Sequence, residues 1–281
     1  MYLNIINNYF IFLFSFIPLS LVLGSSISLL NILLIDISFL FFLFYLKDFS
    51  FLKNKAFQFL LLIYIYLIFN SLISVDQSIG ISRNFGFIRI IIFFVAVNYF
   101  FRSEEFSKKV FLMWFLMITI VLIDVLIESF SGRNIFGWGS SELNGVLQVD
   151  GDRIVSFFKD EPIVGGFLNA FYLIIIGFLN VRYGKKNKNF ILIISFFILF
   201  CIFLTGERSN SIKALLGITF FYMFFREYQV KNKIFLISGI SIFILGMILS
   251  SDYLKMRYIY QIKSLISNNQ LYFKNYISAY Y

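Results

Sequence analysis

Two short stretches gather the residues best suited to chemistry. The first is the polar run 131–161, which holds five of the sixteen glycines together with Arg133, Asp150, Asp152, Arg153, Lys159, Asp160 and Glu161. It closes on Lys159-Asp160-Glu161-Pro162, with Gly165-Gly166 just beyond. Pro162 suits the first turn of a helix, where a missing N–H costs nothing. Asp160 and Glu161 suit the positive end of the helix dipole. The glycine pair would let that helix approach a neighbour closely. A capped helix start below a loop accounts for the same residues. The second stretch is Thr205-Gly206-Glu207-Arg208-Ser209, between two apolar runs. Arg208 at such a boundary either snorkels to lipid headgroups or grips a phosphate, whose oxygens match its planar fork.

Further charges fall inside apolar runs. Arg89 follows Arg83, while Asp124 and Glu128 lie four apart and share one helix face. By the span positions below, Arg89 and Asp124 sit at similar depth, roughly 10 Å under one surface at 1.5 Å per residue. Charge in the bilayer core is costly, so Arg89 and Asp124 are expected to form a structural ion pair. Asp36 and Lys213 are also charged within apolar runs but belong to no motif. The chain has no histidine and one cysteine, Cys201. Histidine-based zinc sites, Ser-His-Asp triads and Cys-His pairs are therefore excluded, and no metal or cofactor site is expected.

The elements that must carry these residues are transmembrane helices. Of the 281 residues, 60% are hydrophobic and 14% charged, and the mean hydropathy is +0.86. Soluble domains carry about 25% charge, so the bilayer is the main solvent here. The apolar runs predict an all-α, polytopic transmembrane bundle of about nine spans in a single membrane domain, 1–281. The spans fall at about 4–23, 26–46, 57–75, 80–101, 110–130, 162–181, 190–205, 209–225 and 234–250. Four alternating loops hold Lys47, Lys53 and Lys55; Arg102, Lys108 and Lys109; Arg182, Lys185, Lys186 and Lys188; and Arg226, Lys231 and Lys233. These are 13 of the 24 basic residues. The positive-inside rule then places those loops and the N-terminus in the cytoplasm. The loop 131–161 and the tail 251–281 fall on the opposite, outer side. The net charge of +9 is thus loop anchoring, and no nucleic-acid partner is expected. No internal repeat is evident, which disfavours a secondary transporter.

Three stretches together resemble one family. They are Asn70-Ser71 through Ser74-Val75-Asp76, Arg83 and Arg89 to Val95; Gly151-Asp152-Arg153 through Phe158 to Glu161-Pro162 and Gly165-Gly166; and Leu204-Thr205-Gly206-Glu207-Arg208-Ser209. In order and spacing, over about residues 70–225, the chain resembles the bacterial O-antigen ligase and O-antigen polymerase membrane proteins. The resemblance implies a glycosyltransferase-type protein of the bacterial inner membrane. It would polymerise or ligate undecaprenyl-pyrophosphate-linked glycans at the periplasmic face, in O-antigen, lipopolysaccharide or other surface-polysaccharide biosynthesis. It implies pyrophosphate contacts from Arg153 and Arg208, with Asp150, Asp152 and Glu207 as candidates for the base. Implied partners are the lipid-linked glycan, membrane lipids and other polysaccharide-assembly proteins.

Members of that family are usually longer, with a large periplasmic loop in which the ligases carry a histidine. This chain has no histidine, and Tyr281 falls where that loop would start, so the tail 251–281 is expected to be the beginning of such a loop in a truncated member. Polymerase identity is favoured over ligase. The rival readings are a transporter or flippase of lipid-linked sugars, and an inactive scaffold.

Overall fold

The computed structural model describes residues 2–139, 153–159, 161–224, 230–250, 252–260 and 263. Every regular element among them is helical. The chain divides by packing into two compact units, 1–117 and 118–281.

The first unit contains α1 (Tyr2–Ser15), α2 (Ile17–Leu23), α3 (Ser25–Leu46), α4 (Lys55–Leu72), α5 (Gln77–Phe85) and α6 (Ile88–Phe100). It ends within α7 (Glu104–Ser131). The expected first span is broken, with α1 and α2 meeting at an angle of 41°. Pro18 explains the break, because a proline in a helix cannot donate to the carbonyl four residues back. That carbonyl belongs to Phe14, and the buried Trp114 indole N–H donates to it at 2.8 Å. Asn31, 2% exposed, donates from α3 to the neighbouring Leu13 carbonyl at 3.2 Å. Two side chains thus satisfy carbonyls at the break. Around it lies an aromatic core. The rings of Phe10 and Phe100 are 4.2 Å apart, and those of Phe100 and Phe106 are stacked at 5.1 Å.

α4 and α5 form a hairpin. Asp76 caps α5 by accepting from the Ile79 N–H at 3.2 Å. Asn84 donates back to the Leu67 carbonyl at 3.1 Å and to the Ser71 hydroxyl at 2.6 Å.

The second unit holds the rest of α7, then α8 (Val164–Leu204), α9 (Arg208–Phe224), α10 (Val230–Ser250) and α11 (Asp252–Lys255), with a π-helical turn at Met256–Tyr260. α8 is two arms. Its backbone leaves helical geometry at Asn187, and the Tyr172 hydroxyl donates to the Ser195 carbonyl at 2.8 Å. In a straight helix, residues that far apart in sequence would be about 34 Å apart, so the chain folds back between them. The basic loop expected between spans 6 and 7 is therefore a tight reversal. The Ser195 hydroxyl also meets the Tyr222 hydroxyl of α9 at 2.9 Å, so three buried polar side chains stitch the arms and α9 together. Each finds a partner inside the apolar interior, as it must where water is absent.

Among the described residues, six helices are long and apolar enough to cross a membrane, and the bent α1–α2 pair would make seven. The chain is thus a multi-pass helical membrane protein. The expected eighth and ninth spans are helices, but α9 has 17 residues and the apolar stretch of α10 is Ser238–Ser250.

Candidate functional site

In the second unit, two sequence-distant carboxyl groups hold the polar segment that precedes α8. Asp124 and Glu128 both project from α7 and are buried, at 0% and 4% exposure. Glu128 accepts from the backbone N–H groups of Val155 at 3.0 Å and Ser156 at 2.6 Å, one on each oxygen. Asp124 accepts from the Ser156 hydroxyl at 2.5 Å and from the Ile135 N–H at 3.0 Å. Asn134 donates to the Ser156 carbonyl at 2.6 Å. Ser156 is therefore bonded through its N–H, hydroxyl and carbonyl at once. Its φ of +47° lies in the left-handed region that non-glycine residues rarely adopt. These contacts hold it there, and they bring both sides of the loop onto the end of α7.

The start of α8 is held from the other direction. Its N-cap residue, Ile163, supplies no side-chain cap. Glu207 does so instead, accepting from the Gly165 N–H at 2.6 Å and the Gly166 N–H at 3.1 Å. Asn210 donates to the same carboxylate at 2.6 Å. A charged acceptor at a helix N-terminus satisfies orphan N–H groups and complements the dipole. Only glycine fits there, since a Cβ on Gly165 would lie 2.6 Å from the Thr205 hydroxyl and 2.9 Å from the Glu207 carboxyl carbon. The close approach expected of Gly165-Gly166 is present, and its partner is the Thr205–Glu207 turn. Gly206, with φ of +72°, makes that turn possible after α8 ends. Pro162 precedes the helix rather than opening it, because α8 begins at Val164. Glu161 is exposed, and the capping acid is the more distant Glu207.

The two arginines adjoin these clamps. Arg153 is exposed, immediately before the Ile154–Ser156 segment that Glu128 holds. Arg208 follows Glu207 directly and opens α9. Its side chain is half-buried, and its Nη1 is out of solvent without a hydrogen-bond partner. A buried guanidinium nitrogen ordinarily has an acceptor, so this one is a strong donor with spare capacity. The start of α8 connects the two clamps by chain. Asp150, Asp152 and Asp160 lie outside the described residues, as do residues 264–281.

Arg89 and Asp124, expected as a pair, belong to different units. Asp124 has the partners given above. Arg89 lies within electrostatic reach of Asp36 in its own unit, and Asp36 is 3% exposed with no hydrogen bond to either carboxyl oxygen. Among the described residues no group of acidic, histidine or cysteine side chains is arranged to hold a metal ion.

Sequence reasoning missed the Asp124–Glu128 clamp on Ser156 and the capping role of Glu207. The signal for the first was two acids four apart beside a polar loop. Nothing in the sequence marks backbone N–H groups as their partners. No family model, curated protein or solved structure matches the chain.

Proposed function

We propose that the chain spans the bacterial inner membrane nine times with a cytoplasmic N-terminus. There it polymerises or ligates undecaprenyl-pyrophosphate-linked glycans at the periplasmic face, as an O-antigen polymerase in preference to a ligase. The alternating basic loops support the orientation. The observation that carries the site is Arg208, whose Nη1 is buried without a partner beside the carboxylate-clamped start of α8.

In this reading Arg153 and Arg208 converge on one pyrophosphate at headgroup level. Only two spans separate them, which returns the chain to the same side. An acceptor-sugar hydroxyl attacks the anomeric carbon, the bond from that carbon to the pyrophosphate oxygen breaks, and the pyrophosphate leaves on its lipid. Fixed guanidinium groups stabilise the charge that develops on that oxygen, the electrostatic contribution that dominates such transfers. A base takes the hydroxyl proton. Glu207 already accepts three hydrogen bonds and so serves better to position the Arg208 turn. Asp150 and Asp152, next to Arg153 in sequence, are then the candidates for the base.

The test is glycan chain length in cells whose natural gene is replaced by variants. Arg208→Lys keeps the charge and loses the fork, so it should shorten the ladder nearly as much as Arg208→Ala. Each lost charge-assisted bond is worth about 1.5–3 kcal/mol, an order of magnitude or more in rate. Full-length ladders from both Arg208→Lys and Arg153→Lys would overturn the reading.

A further inference from the structure

The first unit contains a cavity of about 310 Å³ that the glycan reading does not use. Its floor is apolar, made by Phe39 and Leu43 of α3 and by Phe94 of α6. Lys53 and Arg102, both exposed, make its mouth cationic, and Asp48 lines it as well. Tyr99 and Asn54 also line it. Asn54 caps α4, accepting from the Ala56 N–H at 2.9 Å, which leaves its amide N–H groups for other use.

Among the described residues, Lys53, Arg102 and the Tyr99 hydroxyl donate no hydrogen bond to the protein. Together with the Asn54 amide and the start of α4, they form a set of donors around one opening. Hydrogen bonds from Ser50, with the pull of Arg102 added, hold the half-buried Asp48 carboxyl below its ordinary range. Asp48 therefore stays ionised near neutrality. Two cations and one carboxylate leave a net charge of about +1 at the mouth, matched to a singly charged anion.

The position selects among anions. The cavity lies where α3 and α6 end and α4 begins, so its mouth is at the end of apolar helices and its floor is within their length. An anion with an attached hydrocarbon chain satisfies both parts, with the charged head on the donors and the chain over the aromatic floor. We propose that this cavity binds the phosphodiester head of an anionic glycerophospholipid, with Arg102 and Lys53 as the phosphate contacts. The proposal does not depend on the glycan reading or on which side of the membrane the mouth faces.

The protein is reconstituted in nanodiscs of phosphatidylglycerol and phosphatidylcholine, extracted into mild detergent, and weighed by native mass spectrometry. The wild type should retain phosphatidylglycerol over phosphatidylcholine by about tenfold, and Arg102→Ala and Lys53→Ala should each abolish most of that preference. Both residues are exposed, so each variant should keep the wild-type melting temperature, and the two are read separately. Lys108→Ala removes a nearby charge that does not line the cavity and should retain the lipid. Equal loss in Lys108→Ala would mean diffuse surface attraction and would overturn the proposal. So would equal retention of phosphatidylcholine. Displacement of the lipid by millimolar inorganic phosphate alone would reassign the site to a free anion.

Discussion

At the residue scale, Ser156 is held through its N–H, its hydroxyl and its carbonyl at once. It is fully buried, holds a positive φ, and satisfies two carboxylates and one amide. Ser156→Ala removes the hydroxyl and leaves one Asp124 oxygen buried without a donor. The expected cost is about 1–3 kcal/mol, read as a lowered melting temperature in detergent. An unchanged melting temperature would show that Asp124 finds another donor. Gly165→Ala offers a second check, this time of packing. Its methyl group would collide with Thr205 and Glu207, and overpacking of this kind costs about 1–3 kcal/mol. Gly177 has nothing within 4 Å of an added Cβ, so Gly177→Ala should be neutral or stabilising by up to about 1 kcal/mol. Equal effects from the two would dismiss the close approach as the reason for glycine at 165.

At the scale of elements, the break between α1 and α2 makes a prediction that no single contact could make. Trp114 satisfies the Phe14 carbonyl because Pro18 cannot. Trp114→Phe should destabilise the protein by about 0.6–1.7 kcal/mol, the range for hydrogen bonds between membrane helices. Pro18→Ala supplies a backbone N–H that can reach the Phe14 carbonyl, so in that background the same Trp114→Phe change should cost less. Additive effects in this double-mutant cycle would refute the compensation. The apolar run 4–23 predicts one unbroken span, and the break at Pro18 departs from it, although the missing N–H is a property of the residue itself. Trp114, 100 residues away, could not be assigned as its remedy. The same division holds elsewhere. Apolar runs located α3, α4 and α7 closely, because span length follows from hydrocarbon thickness. The reversal at Asn187 falls in the short basic loop expected between the spans 162–181 and 190–205, and the charges that mark it do not set its length. Glu207 was read as a candidate base, and its role as a cap on α8 depends on tertiary approach across 42 residues.

At the scale of the molecule, the proposed orientation rests on how the basic residues alternate. Single cysteines at Lys53, Lys108 and Lys186 should resist an impermeant thiol reagent added outside intact cells, and one at Gly145 should react. These require a background in which Cys201, buried in α8, is replaced. Labelling at Lys186 from outside would invert the arrangement and remove the proposed glycan site from the periplasmic face.

The central claim is that Arg208 presents its spare guanidinium donor to a lipid-linked pyrophosphate. The direct measurement is binding of undecaprenyl pyrophosphate to the purified chain in nanodiscs, with undecaprenol as the reference. The wild type should bind the pyrophosphate at least about tenfold more tightly than the alcohol, and Arg208→Lys should lose most of that difference. Equal binding of pyrophosphate and alcohol, or an Arg208→Lys protein that binds as the wild type does, would contradict it.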